Sequence, residues 1–544
     1  MEHFHSTRSK NMNYTAKEAI LQGISPDGGL FVSDSLGKHQ VDLQAVPGAS
    51  YQDLAAAIMG QLLDGFSPDE LKTCIDQAYS SNFDTPLITP VRHLQGNSYV
   101  LELFHGPTCA FKDLALQILP GLMSVAQQTL QTGEKDKNRE HILILTATSG
   151  DTGKAAMAGF ADAPHTGIVV FYPAGKVSRI QQLQMVTQSG SNVQVCAVEG
   201  NFDDAQSAVK SIFTDQQVAD RLQNQSKAVL SSANSINIGR LMPQVVYYYA
   251  AYGHLLEAGT ISRGDLVDFI VPTGNFGDIL AGYYAKVLGL PVGKLVVASD
   301  KNKVLYDFLT TGVYDTDRDF YTTTSPSMDI LISSNLERML YYFSHGNTSL
   351  VASLMKDLAL TGHFRAPDSL MEAIREVFDC FWADEDQVQE AIASCYQSTG
   401  YLLDPHTACA YHALEQRKKQ NVDSPRGKGN CQITNPQIIV ATASPFKFPR
   451  VALEALRESG KLADKADLLA SLAQDDAMAL SHLRSLSDFD CLDLLEKVTG
   501  LTAPDQLKNL KNKQVRFTDS LPLSDMRDYV IQAAQKFWPS DSAD

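Results

Sequence analysis

Between residues 140 and 300 the chain alternates short apolar runs with longer segments of helical spacing. Ile142-Leu143-Ile144-Leu145, Ile168-Val169-Val170-Phe171, residues 193–198 and Phe269-Ile270-Val271 are runs rich in branched side chains. Residues 438–443 form another such run further on. Each is apolar on successive positions rather than on alternate ones, the pattern of a strand covered on both faces. Strands of this kind separated by helices predict an α/β architecture with doubly wound parallel sheets. Ahead of this region, residues 51–59 have helical spacing. Ser67-Pro68-Asp69-Glu70 adds a serine cap with proline at the first helical position. Residues 1–90 therefore read as a mixed N-terminal unit, residues 91–450 as a core in two lobes, and residues 451–544, with Leu and Ala at spacings of three and four, as a C-terminal helical region. The polar stretch from Arg417 to Gln432 reads as an exposed loop.

A chain of 544 residues is too long for one core, in agreement with several units. No apolar run is long enough to span a membrane, and the N-terminus lacks the apolar stretch of a secretory signal. The eight cysteines are scattered without a C-x-x-C pair, so no disulfide framework and no metal site are expected, and a cytoplasmic location is. The net charge of −17 argues against nucleic acid and anionic membranes as partners. Any anionic ligand would need cations gathered locally. Arg8, Lys112, Lys154, Lys176, Arg179 and Arg240 are the candidates.

Three segments carry the chemistry. Lys112 follows His105-Gly106-Pro107-Thr108-Cys109-Ala110-Phe111, and a lysine among apolar neighbours can lose its proton near neutral pH and attack a carbonyl. Gly274-Asn275-Phe276-Gly277-Asp278 lies between a strand and a helical pattern, where backbone N–H groups and a helix N-terminus can hold an anion. Without G-x-G-x-x-G spacing it does not indicate a dinucleotide site. Ser149-Gly150-Asp151-Thr152-Gly153-Lys154 opens a second helix. It is not a P-loop, because Thr148 stands where that motif needs glycine and Ala155 where it needs Ser or Thr.

These segments, in this order, resemble threonine synthase, a family of pyridoxal 5'-phosphate enzymes with the tryptophan-synthase-β-like fold (fold type II). Ser6-Thr7-Arg8-Ser9, Gly28-Gly29-Leu30-Phe31, Asn234-Ser235-Ile236-Asn237 and Asp404-Pro405-His406 extend the resemblance over residues 6–460. It implies that Lys112 holds the cofactor and moves protons, and that Gly274, Asn275, Phe276, Gly277 and Asp278 hold the cofactor phosphate. Thr442, in Ala441-Thr442-Ala443-Ser444-Pro445-Phe446-Lys447-Phe448, would face the pyridine nitrogen. Ser149, Asp151, Thr152 and Lys154 would surround the substrate carboxylate. Asn234 and Arg240 would take a substrate phosphate, with His105 and Thr108 on the substrate side and His406 architectural. The chain departs from the family pattern at Ser231 (Asn), Ser444 (His) and Phe446 (Ala). The implied reaction converts O-phospho-L-homoserine and water to L-threonine and phosphate in a monomer or homodimer. A phospholyase giving 2-oxobutanoate would use the same lysine, and a non-catalytic binder of phosphorylated amino acids is the alternative from another class.

Overall fold

Two parallel sheets face each other across a cleft. The computed structural model describes residues 3–130, 140–148, 150–200, 202–423, 434–458 and 483–539. At the start, β1 (Phe4–Ser6), β2 (Ser9–Tyr14) and β3 (Phe31–Ser33) make a small antiparallel sheet in the order β2-β1-β3. The helices Tyr51–Leu62 and Pro68–Ala78 follow, and both begin with a capping box: Ser50 with Asp53, and Ser67 with Glu70. The cap read from Ser67-Pro68 is therefore present, together with the reciprocal bond that fixes the helix start.

The larger lobe is built on six strands. β4 (Val91–Gln95) and β5 (Ser98–Glu102) form a hairpin at one edge. The smaller lobe takes the next four, β6 (His141–Ala147), β7 (Thr166–Pro173), β8 (Val193–Glu199) and β9 (Ala228–Ser231). The chain then returns to the larger lobe with β10 (Val267–Pro272) and β11 (Val292–Ser299). A separate antiparallel pair follows, β12 (Val313–Asp315) with β13 (His363–Arg365), before β14 (Phe378–Trp382) and β15 (Gln437–Ala441). The larger sheet runs β14-β11-β10-β15-β5-β4, and only the β4–β5 pair is antiparallel. β15 thus lies between β10 and β5, joining strands far apart in sequence. Every residue of β7, β10 and β15 is buried, as strands covered on both faces require.

Two readings are corrected. The helix Pro405–Asp423 runs through the first part of the segment read as a loop. Arg417 lies on that helix and pairs with Asp268 at 2.7 Å, which explains why so polar a stretch is ordered against the sheet. Residues 424–432 of that segment lie outside the described residues. The C-terminal region is not only helical. β16 (Ser520–Pro522) adds to β8, so the smaller sheet runs β16-β8-β7-β6-β9 with every pair parallel. The helix Met526–Phe537 then buries Val530, Ile531 and Ala534 in the apolar cluster behind that sheet. No helix among the described residues is long and apolar enough to cross a membrane.

Candidate active site

The cleft between the lobes has a volume of about 1030 Å³. Lys112 lies on its wall at the start of the short helix Asp113–Leu116. Two antiparallel main-chain contacts place it: the Phe111 N–H donates to the Thr442 carbonyl at 2.8 Å, and the Ser444 N–H to the Cys109 carbonyl at 3.1 Å. Thr442 is therefore held beside Lys112 although 330 residues separate them in the chain. The same contacts account for Ser444, whose hydroxyl accepts from the Phe446 N–H and caps the turn Pro445–Lys447.

The Lys112 ammonium is buried. It sits 4.8 Å from the centre of the Phe111 ring, 3.4 Å from Ser327 Oγ and 3.9 Å from Asp151 Oδ2. Burial pushes its pKa down from 10.5 to about 8, against the opposing pull of Asp151. Burial alone would raise the Asp151 carboxyl, but the Lys447 and Lys112 charges outweigh it and hold the group well below its ordinary value. Lys447, itself buried, reaches Asp151 Oδ1 at 2.7 Å and the Thr108 carbonyl at 3.0 Å. Gln181 donates to the same Asp151 oxygen at 3.0 Å.

Residues Gly274, Asn275, Phe276, Gly277 and Asp278 line the cleft ahead of the helix Gly277–Val287. The left-handed residue in this loop is Phe276, at φ 60°, not a glycine. Its ring is buried and tilted on Phe378 at 5.4 Å, which holds a backbone that an aromatic residue rarely adopts. A left-handed residue in such a turn gathers N–H groups into an anion-binding concavity. The glycines are needed for space. A Cβ at Gly274 would stand 3.1 Å from Met328 Cα, and one at Gly277 would stand 3.3 Å from Asn335 Nδ2. From behind, Ser333 Oγ donates to the Gly274 carbonyl at 2.7 Å, and the Asn335 N–H to the Asn275 carbonyl at 3.0 Å. With its carbonyls engaged there, the loop is suited to present N–H groups to an anion such as the phosphate of pyridoxal phosphate. The Asp278 carboxylate turns away, accepting from Tyr247 at 2.6 Å and Tyr248 at 2.8 Å. Burial raises it to about 6, an effect those two hydroxyls partly offset.

Arg240 and Asn234 also line the cleft. Arg240 is 3% exposed; its guanidinium donates to the Ala233 carbonyl at 3.0 Å, while its Nε has no hydrogen-bond partner among the described residues. Burial lowers it from 12.5 to about 10, so the charge persists at neutral pH. Asn234 Oδ1 accepts from Thr146 at 2.9 Å. Asp151 and Thr152 open the helix Asp151–Phe160 on the same cleft. Ser149 lies outside the described residues.

Of the other expected site residues, His105, Thr108 and Lys154 do not reach the cleft. His105 is clamped between Asp84 at 2.6 Å and Glu102 at 3.0 Å, and although burial lowers its pKa, those two partners raise it to about 9. Thr108 gives its hydroxyl and its N–H to Asp113, both at 2.8 Å, and is spent on holding that turn. Lys154 is buried on Gln188; burial and the Lys513 charge lower it to about 7. Ser231 donates to the Leu21 carbonyl and ties β9 to the N-terminal unit. Lys176 and Arg179 are not on the cleft wall, whereas Arg8 is, paired with Glu337 at 2.8 Å. His406 also lines the cleft; it donates from Nδ1 to Asp404 at 2.8 Å and accepts the Ser327 N–H on Nε2 at 3.2 Å. The residues that sequence reading missed are Ser327, Ser333, Asn335 and the role of Lys447. Only Lys447 lay in a motif that could have pointed to it.

Comparison with known proteins shows the family. Residues 3–79 match the family model for the threonine synthase N terminus, and residues 81–426 match that for pyridoxal-phosphate dependent enzymes. Threonine synthase of Pseudomonas aeruginosa is 37% identical over 457 residues, covering 84% of this chain and 90% of that protein. Human threonine synthase-like 1 is 39% identical over 450 residues, 81% of this chain, but the chain spans only 58% of that protein's length. Among solved structures, yeast threonine synthase superposes with a TM-score of 0.81 at 31% identity, covering 98% of each chain. Threonine synthase from Brucella melitensis with bound PLP gives 0.78 at 32% identity, covering 98% of this chain and all of that one. With its fold, its cleft and these matches together, the chain belongs to the threonine synthase branch of the pyridoxal-phosphate-dependent enzymes.

Proposed function

We propose that this cleft converts O-phospho-L-homoserine and water to L-threonine and phosphate in the cytoplasm. The observation that carries the reading is a buried guanidinium, Arg240, on the same cleft as a buried lysine of lowered pKa and a separate anion loop. Two anion sites beside one amine suit a phosphorylated substrate as well as a phosphorylated cofactor.

The residues divide the work as follows. The backbone of Gly274 to Gly277 would hold the cofactor phosphate, Lys112 would supply the amine that binds the cofactor, and Thr442 would offer a neutral hydroxyl to its ring. Bound there, pyridoxal phosphate stabilises negative charge at the substrate Cα. Arg240 and Asn234 take the substrate phosphate, so the Cγ–O bond that breaks lies at the cationic end of the cleft. Thr152, at a helix N-terminus, receives the α-carboxylate. Lys112 Nζ, with a pKa of about 8, removes and returns protons at Cα and Cβ. Lys447 balances the Asp151 charge, so that carboxylate does not fix a proton on Lys112.

Incubation with O-phosphohomoserine, followed by chromatography for threonine and 2-oxobutanoate, tests the reading. Threonine with an equal release of phosphate is expected. 2-Oxobutanoate as the main product would make the chain a phospholyase, and no turnover with retained ligand binding would make it a binding protein.

A further inference from the structure

Ser327 is the one hydroxyl the structure sets between Lys112 and Asp151 among the described residues. Its Oγ is 3.4 Å from Lys112 Nζ and donates to Asp151 Oδ2 at 3.2 Å, while Nζ and Oδ2 are 3.9 Å apart. A hydroxyl has one proton. With that proton on the ionised Asp151, the Ser327 lone pairs face Lys112 and accept from its amine. The serine is itself pinned, because its N–H donates to His406 Nε2 at 3.2 Å and His406 is locked by Asp404. The turn that carries the serine packs closely on the anion loop: a Cβ at Gly274 would stand 3.3 Å from the Ser327 carbonyl oxygen and 3.1 Å from Met328 Cα. Lys447 and Gln181 both engage the far oxygen of Asp151, and the other charged groups that act on Lys112 are Arg240, Asp113 and Asp278.

We propose that Ser327 is a positioning residue that holds the Lys112 amine off Asp151, orienting it without adding charge. A direct ion pair would fix the proton on the lysine that must give and take it. A neutral hydroxyl in between accepts one N–H and leaves the amine free to exchange its other protons. The inference deepens the reading of Lys112 as the cofactor lysine.

The test is the titration of Lys112 in the full-length, cofactor-free chain, followed by competitive acylation with acetic anhydride across pH and quantified by peptide mass spectrometry. Ser327→Ala removes the spacer, and Nζ can close on Asp151 to the ordinary pair distance of about 2.8 Å. Coulomb's law at an effective dielectric of about 20 then gives roughly a tenfold gain in proton affinity, so the midpoint should rise by about one pH unit. Ser327→Thr keeps the hydroxyl and should keep the parental midpoint. In an Asp151→Asn background the same Ser327→Ala change should move the midpoint little, because there is no carboxylate to close on. In the cofactor-loaded enzyme the acid limb of kcat should shift upward with Ser327→Ala and return with Ser327→Thr. A midpoint in Ser327→Ala equal to or below that of the parent, or an equal rise in the Asp151→Asn background, would overturn the proposal. Borohydride fixation of the cofactor to Lys112 in the parent is a separate measurement, so the reading of the lysine and the role of the serine can fail independently.

Discussion

Arg240 should make the empty protein less stable than it could be. Its guanidinium is buried against a backbone carbonyl, with Nε unpaired among the described residues and no carboxylate in its salt bridges or hydrogen bonds. The fall of its pKa from 12.5 to about 10 corresponds to about 3 kcal/mol held against the charged form, at about 1.36 kcal/mol per tenfold. The charge survives at neutral pH, so the folded chain bears that cost until an anion arrives. Arg240→Met removes the charge and keeps an apolar stem of similar length, while the Ala233 carbonyl loses a donor worth about 1 kcal/mol. The net expectation is a variant about 2 kcal/mol more stable in phosphate-free buffer. Added inorganic phosphate should stabilise the parent more than the variant, which keeps only the Gly274–Gly277 loop as an anion site. Turnover of O-phosphohomoserine should lose kcat/KM by roughly tenfold to over a hundredfold, the equivalent of about 1.5–3 kcal/mol for a charge-assisted contact. Denaturation with and without phosphate, together with steady-state kinetics, reads all three. If Arg240→Met is less stable than the parent and phosphate stabilises both alike, the guanidinium is a structural tie and the phosphate site lies elsewhere.

Further expectations follow from the same geometry. Lys112→Ala should abolish turnover, and borohydride should fix the cofactor to the peptide carrying Lys112; fixation to another lysine would move the site. Gly277→Val should weaken cofactor affinity more than fold stability, because the added atoms meet Asn335 at the edge of the anion loop; equilibrium dialysis of cofactor against parent decides it. Asp278 is raised to about 6 by burial, so its contribution is present below the ordinary 3.8 and lost as pH rises through about 6. Asp278→Asn should therefore gain up to about 3 kcal/mol on the cofactor-free parent between pH of about 4 and 6. A stability difference that stays flat with pH would show that this carboxyl is ionised throughout.

The legible parts of the site were those made by neighbours in sequence. Lys112, the Gly274–Asp278 turn and the Asp151–Phe160 helix start are local constructions, and their spacing announces them. What the sequence could not announce was which side chains the fold would commit elsewhere. His105 and Thr108 sit in the same motif as Lys112, yet Asp84, Glu102 and Asp113 claim them. The converse holds for Ser327, Ser333 and Asn335, which come from an unpatterned polar stretch and matter only because the larger lobe folds that stretch against the loop. Phe276 shows the same limit within a recognised motif: the glycines drew notice, while the strained backbone belongs to the aromatic residue between them. Among strands, the long apolar runs were evident, but three-residue β16 has meaning only once β8 is beside it.

The place of β15 in the larger sheet also sets a timetable for synthesis. β5 and β10 cannot meet directly, since β15 occupies the position between them. A ribosome adding about 5–20 residues per second delivers β15 some tens of seconds after β5. β5 for that whole interval, and β10 for about the second half of it, carry an edge of unpaired backbone flanked by apolar side chains, the template on which chains aggregate. The lobe that presents Lys112 is thus completed late, and nascent-chain chaperones should govern the yield of active protein more strongly than its final stability does.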